Sequence, residues 1–387
     1  MAESEPTRPP AATPVRCPAI EVPDVPMADP ARLDPLIARL GDARPVVAAE
    51  EFPLGTLQPD GRVDLCKQGL GPEGVARLLP AAVASPHAAH LLLGTNAMGP
   101  DGARAIAGAL AAGGHGLRTL YLGCNRIDAA AATALAERLA GDDQVRALWL
   151  KRNPIGDDGV RAIARMLRRN TALRTLDLVN TGVTADGLRA LLDALLDRPR
   201  PIERLFLGGN GLTADCAGVL AALVSDAGVR ELYVPANHLG DDGVAALAAA
   251  ADPARPVRLG LGGNGVGPAG ARALADAVGG IETLDLGRPP SERSLGAPAN
   301  RLGDDGVIAL ARALPGSPLR RLELRHAEFT ARGAKLLLAA VATGGTRLEY
   351  LGLGPGLPRR VKRAIAPHLR PAAPAHADIL AIASMYR

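Results

Sequence analysis

Leucine and other aliphatic residues recur along this chain at one fixed spacing. The clearest copy runs Leu117, Leu120, Leu122, Asn125, Ile127, in the order L-x-x-L-x-L-x-x-N-x-I. Seven of the nine asparagines in the chain occupy the same position of this pattern: Asn96, Asn125, Asn153, Asn210, Asn237, Asn264 and Asn300. Self-similarity at a fixed period is typical of a repeat architecture, in which each unit is completed by its neighbours.

The asparagine position predicts eleven repeats over about residues 61–370, at spacings of 27–29 residues apart from one of 36. Each unit begins with a short strand, such as 120–122, whose leucines alternate with period two and enter the core. A helix then closes the unit, with apolar residues such as Val160, Ile163 and Leu167 at helical spacing. We therefore expect one elongated α/β domain.

The turns between strand and helix are rich in Gly, Thr and Asp. Aspartates suit the positive end of a helix, and Thr184, Thr213 and Thr330 are predicted to be N-caps. The repeated asparagine is expected to turn inward and bond backbone groups of its own and the neighbouring turn, because a buried amide needs partners. Stacked repeats would then form an asparagine ladder.

The pattern, with its long helices and a G-[DP]-[DE]-G turn such as 156–159, resembles the ribonuclease-inhibitor-like class of leucine-rich repeats over about residues 60–370. Ribonuclease inhibitor and Ran GTPase-activating proteins belong to that class. The resemblance implies a solenoid or horseshoe with a parallel β-sheet on the concave face and helices on the convex face. Thr181, Ala327 and Gly356 depart from the asparagine position, and should weaken the ladder locally. For function the class says little, because it mainly shares a concave binding surface.

Flanking segments differ in composition from the repeats. Residues 1–30 are predicted to be a disordered Pro-rich tail, and residues 31–60 an N-terminal cap with a possible strand at 46–48. Pro371 and Pro374 end the last helix, and residues 371–387 then form a C-terminal tail. Its residues 379–382 either fold back as a closing segment or remain a short interaction peptide.

The middle residue of each strand is predicted to point out of the concave face. Read along the array, these positions form a predicted row that contains four of the chain's eight aromatic residues. The row comprises Leu92, Tyr121, Trp149, Asp177, Phe206 and Tyr233. Such a row on an exposed sheet surface is typical of a partner-binding site. The alternative is that aromatic residues simply favour strands, but the inward leucine positions contain none. Lys151 is expected to add polar specificity.

Three further features bear on this surface. Six glycines at the next outward position suggest open space beside the row for a bulky partner. Residues 287–299 form an insertion that should overhang the rim, either functional or disordered, with Arg288 and Arg293 as candidate contacts. A second candidate cluster, which could equally be surface ion pairs of little energy, comprises Arg321, Glu323 and Arg325.

The net charge of +4 is unevenly placed, since residues 357–387 carry six Lys and Arg against one Asp. This cluster is either a solvated capping helix or a contact for nucleic acid or an acidic surface. No nucleic-acid-binding sequence motif accompanies it.

Motifs for catalysis or cofactors are weak. The G-x-G-x-x-G match at 260–265 is better explained by the repeat, because Asn264 holds the ladder position. The histidines lack metal-ligand spacing, and Cys66 lacks a paired His. We therefore expect no catalytic, metal or cofactor site. The chain shows no signal peptide or membrane-length apolar run, and its four cysteines are expected to be reduced, which favours a cytoplasmic protein. We also expect a monomer.

Together, these expectations predict that the protein is a non-enzymatic scaffold that binds a protein partner on its concave face. One alternative, which rests on the resemblance alone, is a regulator of a partner enzyme, either an inhibitor or a GTPase activator. Another is nucleic-acid or acidic-surface binding through the basic C-terminus.

Overall fold

The computed structural model describes residue 15 and residues 26–111, 113–287 and 295–386, with the side chains of 385 and 386 left out. Within these ranges thirteen strands form one sheet in sequence order. They are β1 (Glu50–Glu51), β2 (Thr56–Leu57), β3 (Arg62–Asp64), β4 (His90–Leu92), β5 (Thr119–Tyr121), β6 (Ala147–Trp149), β7 (Thr175–Asp177), β8 (Arg204–Phe206), β9 (Glu231–Tyr233), β10 (Val257–Gly260), β11 (Ile281–Asp285), β12 (Arg321–Glu323) and β13 (Tyr350–Gly352). Pairing is antiparallel for β1–β2 and β2–β3 and parallel from β3 onward, which confirms the predicted parallel sheet.

One helix follows each of the parallel strands β3–β13. The helices are α1 (Asp34–Leu40), α2 (Gly71–Ala84), α3 (Gly99–Leu110), α4 (Ala129–Leu139), α5 (Gly156–Leu167), α6 (Ala185–Leu196), α7 (Ala217–Ser225), α8 (Gly240–Ala249), α9 (Pro268–Asp276), α10 (Gly303–Ala313), α11 (Ala331–Ala342), α12 (Arg359–Ile365) and α13 (Ala377–Leu380). This alternation, with each helix packed on the next, is the predicted leucine-rich-repeat solenoid.

The core lies between the sheet and the helices. Leu120 and Leu122 are fully buried, as are Val160 and Leu167 on the facing side of α5. Because each unit contributes only a few apolar residues, the core becomes continuous only through stacking.

The asparagine ladder is formed as predicted. The amide of Asn125 donates from Nδ2 to the carbonyl of Leu122 at 3.0 Å and to that of Leu93, in the preceding repeat, at 2.9 Å. The backbone N–H of Asn125 donates in turn to Oδ1 of Asn153 at 2.8 Å. Where Thr181 replaces asparagine, its hydroxyl donates to Leu178 of its own repeat. A threonine is too short to link two repeats in this way, so the ladder is weaker there.

Aspartates of the turns bridge neighbouring helices. The carboxylate of Asp157 accepts from the backbone N–H and hydroxyl of Thr184 at 2.8 and 2.6 Å, and Asp304 does the same for Thr330 at 2.9 and 2.7 Å. Thr184 and Thr330 cap their helices, which confirms that prediction. The prediction is wrong for Thr213, whose side chain makes no cap hydrogen bond because a 3-10 turn starts the helix there.

The N-terminal cap covers the first repeat. Leu33, Leu36 and Leu40 are buried on one side of α1 and the turn before it. No strand forms at 46–48; β1 and β2 extend the sheet instead. Just before the cap, the N–H of Ala28 donates to the carbonyl of Gly69 at 2.8 Å.

The C-terminal end closes the solenoid and then turns back. Val361 and Ile365 of α12 pack against the last repeat, and the basic residues of α12 lie on its other side. The backbone N–H of Arg370 donates to the carbonyl of Leu348 at 2.7 Å, and that of Ala373 to the carboxylate of Glu349 at 3.1 Å. From there residues 374–386, which we call the C-terminal segment, run across the concave face. Within this stretch Ile379 and Ile382 pack with residues of the sheet.

Candidate functional site

The predicted row occupies the last residue of each strand from β4 to β9 and lies on the face of the sheet opposite the core. Tyr121 is in register with Trp149, and Asp177 with Phe206, which in turn is in register with Tyr233. Their apolar members belong to a hydrophobic cluster separate from the main core. The period of two therefore placed these side chains on the correct face.

Aromatic rings form a continuous strip along this row. The ring centroids of Tyr121 and Trp149 are 6.5 Å apart, those of Trp149 and Phe206 5.2 Å, and those of Phe206 and Tyr233 4.7 Å. The last two rings are stacked, with an interplanar angle of 8°. These separations fall in the favourable range for aromatic pairs, so the strip runs across strands β5–β9 without a gap between rings.

The expected exposure of this row is wrong at four of its positions. The exposed fraction is 0% for Leu92, 2% for Tyr121, 1% for Trp149 and 2% for Asp177. For Leu92, Tyr121 and Trp149 the C-terminal segment contributes to the burial, because Ile382, which is itself 0% exposed, packs into the same cluster. Part of the aromatic strip is therefore covered by the C-terminal segment of the same chain.

A polar contact anchors the same segment. The carboxylate of Asp378 accepts a hydrogen bond from the Thr175 hydroxyl at 2.7 Å and lies 3.7 Å from Nη1 of Arg204. Arg204 also pairs with Glu231 at 3.0 Å. Thr175 and Arg204 are in register on the adjacent strands β7 and β8, so Asp378 contacts both of these strands. A buried carboxylate with a donor and a cation beside it avoids the cost of an isolated charge.

Asp177, which is buried, and Lys151, which is half-buried, are ionisable groups next to the aromatic rings. Burial raises the pKa of Asp177 to about 6, against the opposing effect of Lys151 and a hydrogen bond from the N–H of Val179 at 2.8 Å. Burial likewise lowers the pKa of Lys151, whose Nζ lies 5.3 Å from the centroid of the Tyr121 ring. In this arrangement Lys151 supports Tyr121 by a cation–π contact.

The indole N–H of Trp149 is buried and, within the described part of the chain, has no hydrogen-bond acceptor. Buried indole groups usually find one, and leaving a donor unpaired costs about 1–3 kcal/mol. The described side chains of the C-terminal segment therefore cover the ring of Trp149 without satisfying its polar atom.

The glycines beside the strip do not leave room for a partner. A Cβ on Gly94 would lie 2.4 Å from Cε1 of Tyr121, one on Gly123 3.0 Å from Cγ of Lys151, and one on Gly208 2.8 Å from the carbonyl oxygen of Pro235. The interpretation of these three as open space is wrong, because the chain's own residues fill it.

The second candidate cluster lies on the part of the concave face beyond the aromatic strip. Arg325 pairs with Glu323 at 2.7 Å, and the Tyr350 hydroxyl donates to Glu323 at 2.7 Å. The guanidinium of Arg321 lies 4.6 Å from the Tyr350 ring centroid. Hydrogen bonds from Arg325 and Tyr350 lower the pKa of Glu323 against the effect of burial. Arg321 and Arg325 stay exposed, so this cluster is an accessible charged rim.

Sequence reasoning missed the residues that hold the C-terminal segment. Of these, Arg204 lies near Asp378. Arg204, Glu231 and Arg258 are in register on β8–β10 and alternate in charge, with Arg258 3.2 Å from Glu231. That alternation is visible in the sequence and could have indicated a polar strip beside the aromatic one. A cavity of about 310 Å³ lies between this charged strip and residues 373–376.

The insertion is described only in its last part. Arg288 and Arg293 lie outside the described residues. Of the remainder, Pro298 accepts a hydrogen bond from the N–H of Gly265 at 3.1 Å, and Leu295 lies over Gly209. Residues 295–299 therefore cross the turns that follow the strands.

The groups weighed as candidates for chemistry are held in structural roles. Burial raises the pKa of the Cys66 thiol, which accepts a hydrogen bond from the Gly94 N–H at 3.2 Å. His90 bonds the Thr119 hydroxyl at 2.8 Å, and burial lowers its pKa. Among the described residues no group of three His, Cys, Asp or Glu side chains could hold a metal ion. In the same ranges no helix is long and apolar enough to cross a bilayer.

The cysteines are not all reduced. Cys66 and Cys216 are free thiols. Cys124 is disulfide-bonded, so the expectation of a reduced thiol is wrong there. Cys17 lies outside the described residues.

Comparison with known proteins agrees with the fold. A family model described as Leucine Rich repeat matches residues 145–164 and 169–192. No curated protein matched the sequence. The chain is similar to a chain in the crystal structure of the Rad7 and Elc1 complex in yeast, at 16% identity and a TM-score of 0.52, over 88% of this chain and 82% of that one. Identity at this level shows the fold alone.

A second match is to Leiomodin-1 Actin-Binding Site 2, at 21% identity over 24% of this chain and 57% of that one. Its TM-score is 0.20, so it carries no argument.

Proposed function

We propose that this chain is a non-enzymatic scaffold that binds a protein partner on its concave face. The observation that carries the proposal is the aromatic strip from Tyr121 to Tyr233, which lies on the face of the sheet opposite the core. Aromatic residues in contiguous apolar patches are the usual anchors of protein interfaces. A preformed solenoid surface also loses little conformational entropy on binding.

The surroundings of the strip suit an interface. Exposed Arg321 and Arg325 lie on the uncovered part of the same face, with Glu323 between them in sequence. An apolar centre with a polar, accessible rim is the common anatomy of a protein–protein interface. In this proposal the strip supplies affinity, and the charged rim selects the partner.

Membership of the ribonuclease-inhibitor-like class belongs to the same proposal. Its support is the repeat spacing of 27–29 residues and the Gly-Asp-Asp-Gly start of α5, α8 and α10. A monomeric state and a cytoplasmic location are also proposed. The free thiols of Cys66 and Cys216 favour that location, whereas the bonded Cys124 argues against it.

The basic C-terminus supports a nucleic-acid site less well. Its residues lie on α12, whose Val361 and Ile365 cover the end of the core. A capping helix needs a polar outer face in any case, and Arg359, Arg360 and Arg363 provide one. No contact among the described residues favours regulation of an enzyme over other kinds of protein binding.

The proposal is tested by affinity capture from native lysate with mass spectrometry. The site variant is Phe206→Ala with Tyr233→Ala, because both side chains are only half-buried. The control is Leu336→Ala, an aliphatic residue that is 40% exposed on the convex helix α11. We expect a partner retained by wild type and the control but reduced at least about tenfold in the site variant, as for interface hot spots. Identical captured proteins for all three, with circular dichroism showing intact folds, would exclude the concave face as the site.

A further inference from the structure

The C-terminal segment presents three side chains to the concave face from one side of a short helix. Ile382, just beyond α13, lies four residues after Asp378 and three after Ile379, and side chains at these spacings are neighbours across one helical turn. Ile382 and Ile379 pack in the aromatic cluster, and Asp378 bonds Thr175. Leu380, at an intervening position, is 50% exposed. The segment therefore binds with a defined face.

We propose that the concave groove is a recognition site for a short helical segment of the form Asp-aliphatic-x-x-aliphatic. The chain's own C-terminal segment occupies the groove in cis, and a protein partner of the same chemistry binds by displacing it. This inference rests on the proposed function, and adds what the partner presents and what keeps the site closed.

The contacts define what the groove recognises. At one end the Thr175 hydroxyl donates to a carboxylate at 2.7 Å, with the Arg204 guanidinium 3.7 Å away. At the other end Leu92, Tyr121 and Trp149 surround the side chain of Ile382. An acid in the first helical turn also suits the helix dipole. The groove thus recognises a segment that presents one carboxylate and, about one helical turn later, an aliphatic side chain.

Several features make the segment displaceable. Its helix α13 spans Ala377–Leu380, and a helix of one turn has no stability of its own. Residues 371–375, which lead into it, are all exposed. Among the residues that the structure describes, none offers an acceptor to the Trp149 indole N–H. A partner that offers the same anchors and a carbonyl or hydroxyl oxygen near the indole would bind more tightly than the chain's own end.

When the tethered C-terminal segment occupies the groove, it weakens the binding of a separate peptide by a measurable amount. A tethered segment acts at an effective concentration in the millimolar range, and a competitor binds only the open fraction. A peptide with micromolar affinity for the open groove is then weakened at least about tenfold by the tethered copy.

The first experiment uses the full chain and its one tryptophan, Trp149. Ile382→Asp places a charge in the apolar pocket and should release the segment. The control, Leu380→Asp, makes the same change at the exposed position. We expect Ile382→Asp to shift the fluorescence emission to longer wavelength and to increase acrylamide quenching, whereas Leu380→Asp behaves as wild type. Unchanged emission in Ile382→Asp would overturn the proposal. Asp378→Ala, which removes the anchor without adding a charge, repeats the test if Ile382→Asp fails to fold.

The second experiment measures binding in trans. The probe is a fluorescein-labelled synthetic peptide of residues 371–387, followed by anisotropy. We expect saturable binding to the Ile382→Asp protein, binding at least about tenfold weaker to wild type, and loss of binding when the peptide carries Asp378→Ala. A peptide that binds neither protein would exclude the recognition motif. Equal binding to both would exclude occupation in cis.

The outcomes also separate this inference from the proposed function. If the peptide fails but a lysate partner still depends on Phe206 and Tyr233, the concave face remains the site and only the recognition motif is wrong. If no partner depends on these residues but the peptide binds as expected, the groove serves closure within the chain alone.

Discussion

The carboxylate of Asp378 accepts a hydrogen bond from the hydroxyl of Thr175 at 2.7 Å, across 203 positions of sequence. Thr175 begins β7, near the middle of the sheet, and Asp378 is the second residue of α13, close to the end of the chain. This contact ties the C-terminus to the centre of the concave face, where the aromatic strip lies. The candidate site is therefore formed by two parts of the chain that are far apart in sequence.

Trp149 is expected to contribute to stability through the C-terminal segment. Because its ring is 1% exposed and packs with Ile382, Trp149→Ala should lower the free energy of unfolding by about 2–4 kcal/mol. In the Ile382→Asp background the same change should cost less, with a coupling of about 1–3 kcal/mol between the two sites. Urea unfolding of the wild type, both single variants and the double variant measures this coupling. Additive effects would mean that the two side chains do not pack together.

The pKa of Asp177, raised to about 6 by burial, predicts a pH-dependent stability. The folded state holds this proton more tightly than the unfolded state, where the pKa is the ordinary 3.8. The resulting stabilisation is present below the unfolded pKa and is lost as the pH rises through about 6, by up to about 3 kcal/mol. Asp177→Asn keeps an acceptor for the Val179 N–H without the charge, and should be more stable than wild type near pH 7.5.

The matched measurement is urea unfolding of wild type and Asp177→Asn at about pH 5 and about pH 7.5. The difference between the two proteins isolates Asp177, because the other titrating groups are shared. A difference that does not grow with pH would show that the carboxyl is not destabilised by burial.

Asn153 should be among the least replaceable polar residues. Its Nδ2 donates to the carbonyls of Leu150 and Leu122 at 2.9 and 3.0 Å, and its Oδ1 accepts from the N–H groups of Asn125 and Ile127 at 2.8 and 3.1 Å. Asn153→Ala leaves these buried backbone groups unpaired, and we expect a loss of about 2–4 kcal/mol by chemical denaturation. Gln144→Ala, an exposed polar side chain, serves as the control and should change little. A loss no larger than that of the control would show that the ladder is not structural.

The space beside the strip can be tested at Gly94. A Cβ there would meet Cε1 of Tyr121 at 2.4 Å, so Gly94→Ala should displace the ring and destabilise the chain by about 1–3 kcal/mol. Gly108→Ala is the matched control, because no atom lies within 4 Å of its added Cβ and it sits within α3. That variant should be neutral or stabilising by up to about 1 kcal/mol, measured by thermal unfolding. Similar effects at both glycines would indicate that the position of Tyr121 does not depend on the space at Gly94.

Local patterns in the sequence determined the repeat, its register and the face on which each strand residue lies. A period of two assigns Leu120 and Tyr121 to opposite sides of β5, and a buried amide such as Asn125 must bond the nearest backbone groups wherever the repeat recurs. These relationships are encoded within about one repeat length, so they can be recognised without knowledge of the rest of the chain.

Only the tertiary structure decided what covers that face. The burial of Trp149 and the pairing of Thr175 with Asp378 both depend on a segment whose register on the sheet no periodic pattern encodes. Periodicity reports which way a side chain points relative to its own strand. Whether water or another part of the chain meets it there depends on long-range packing, which is settled by shape and charge in three dimensions.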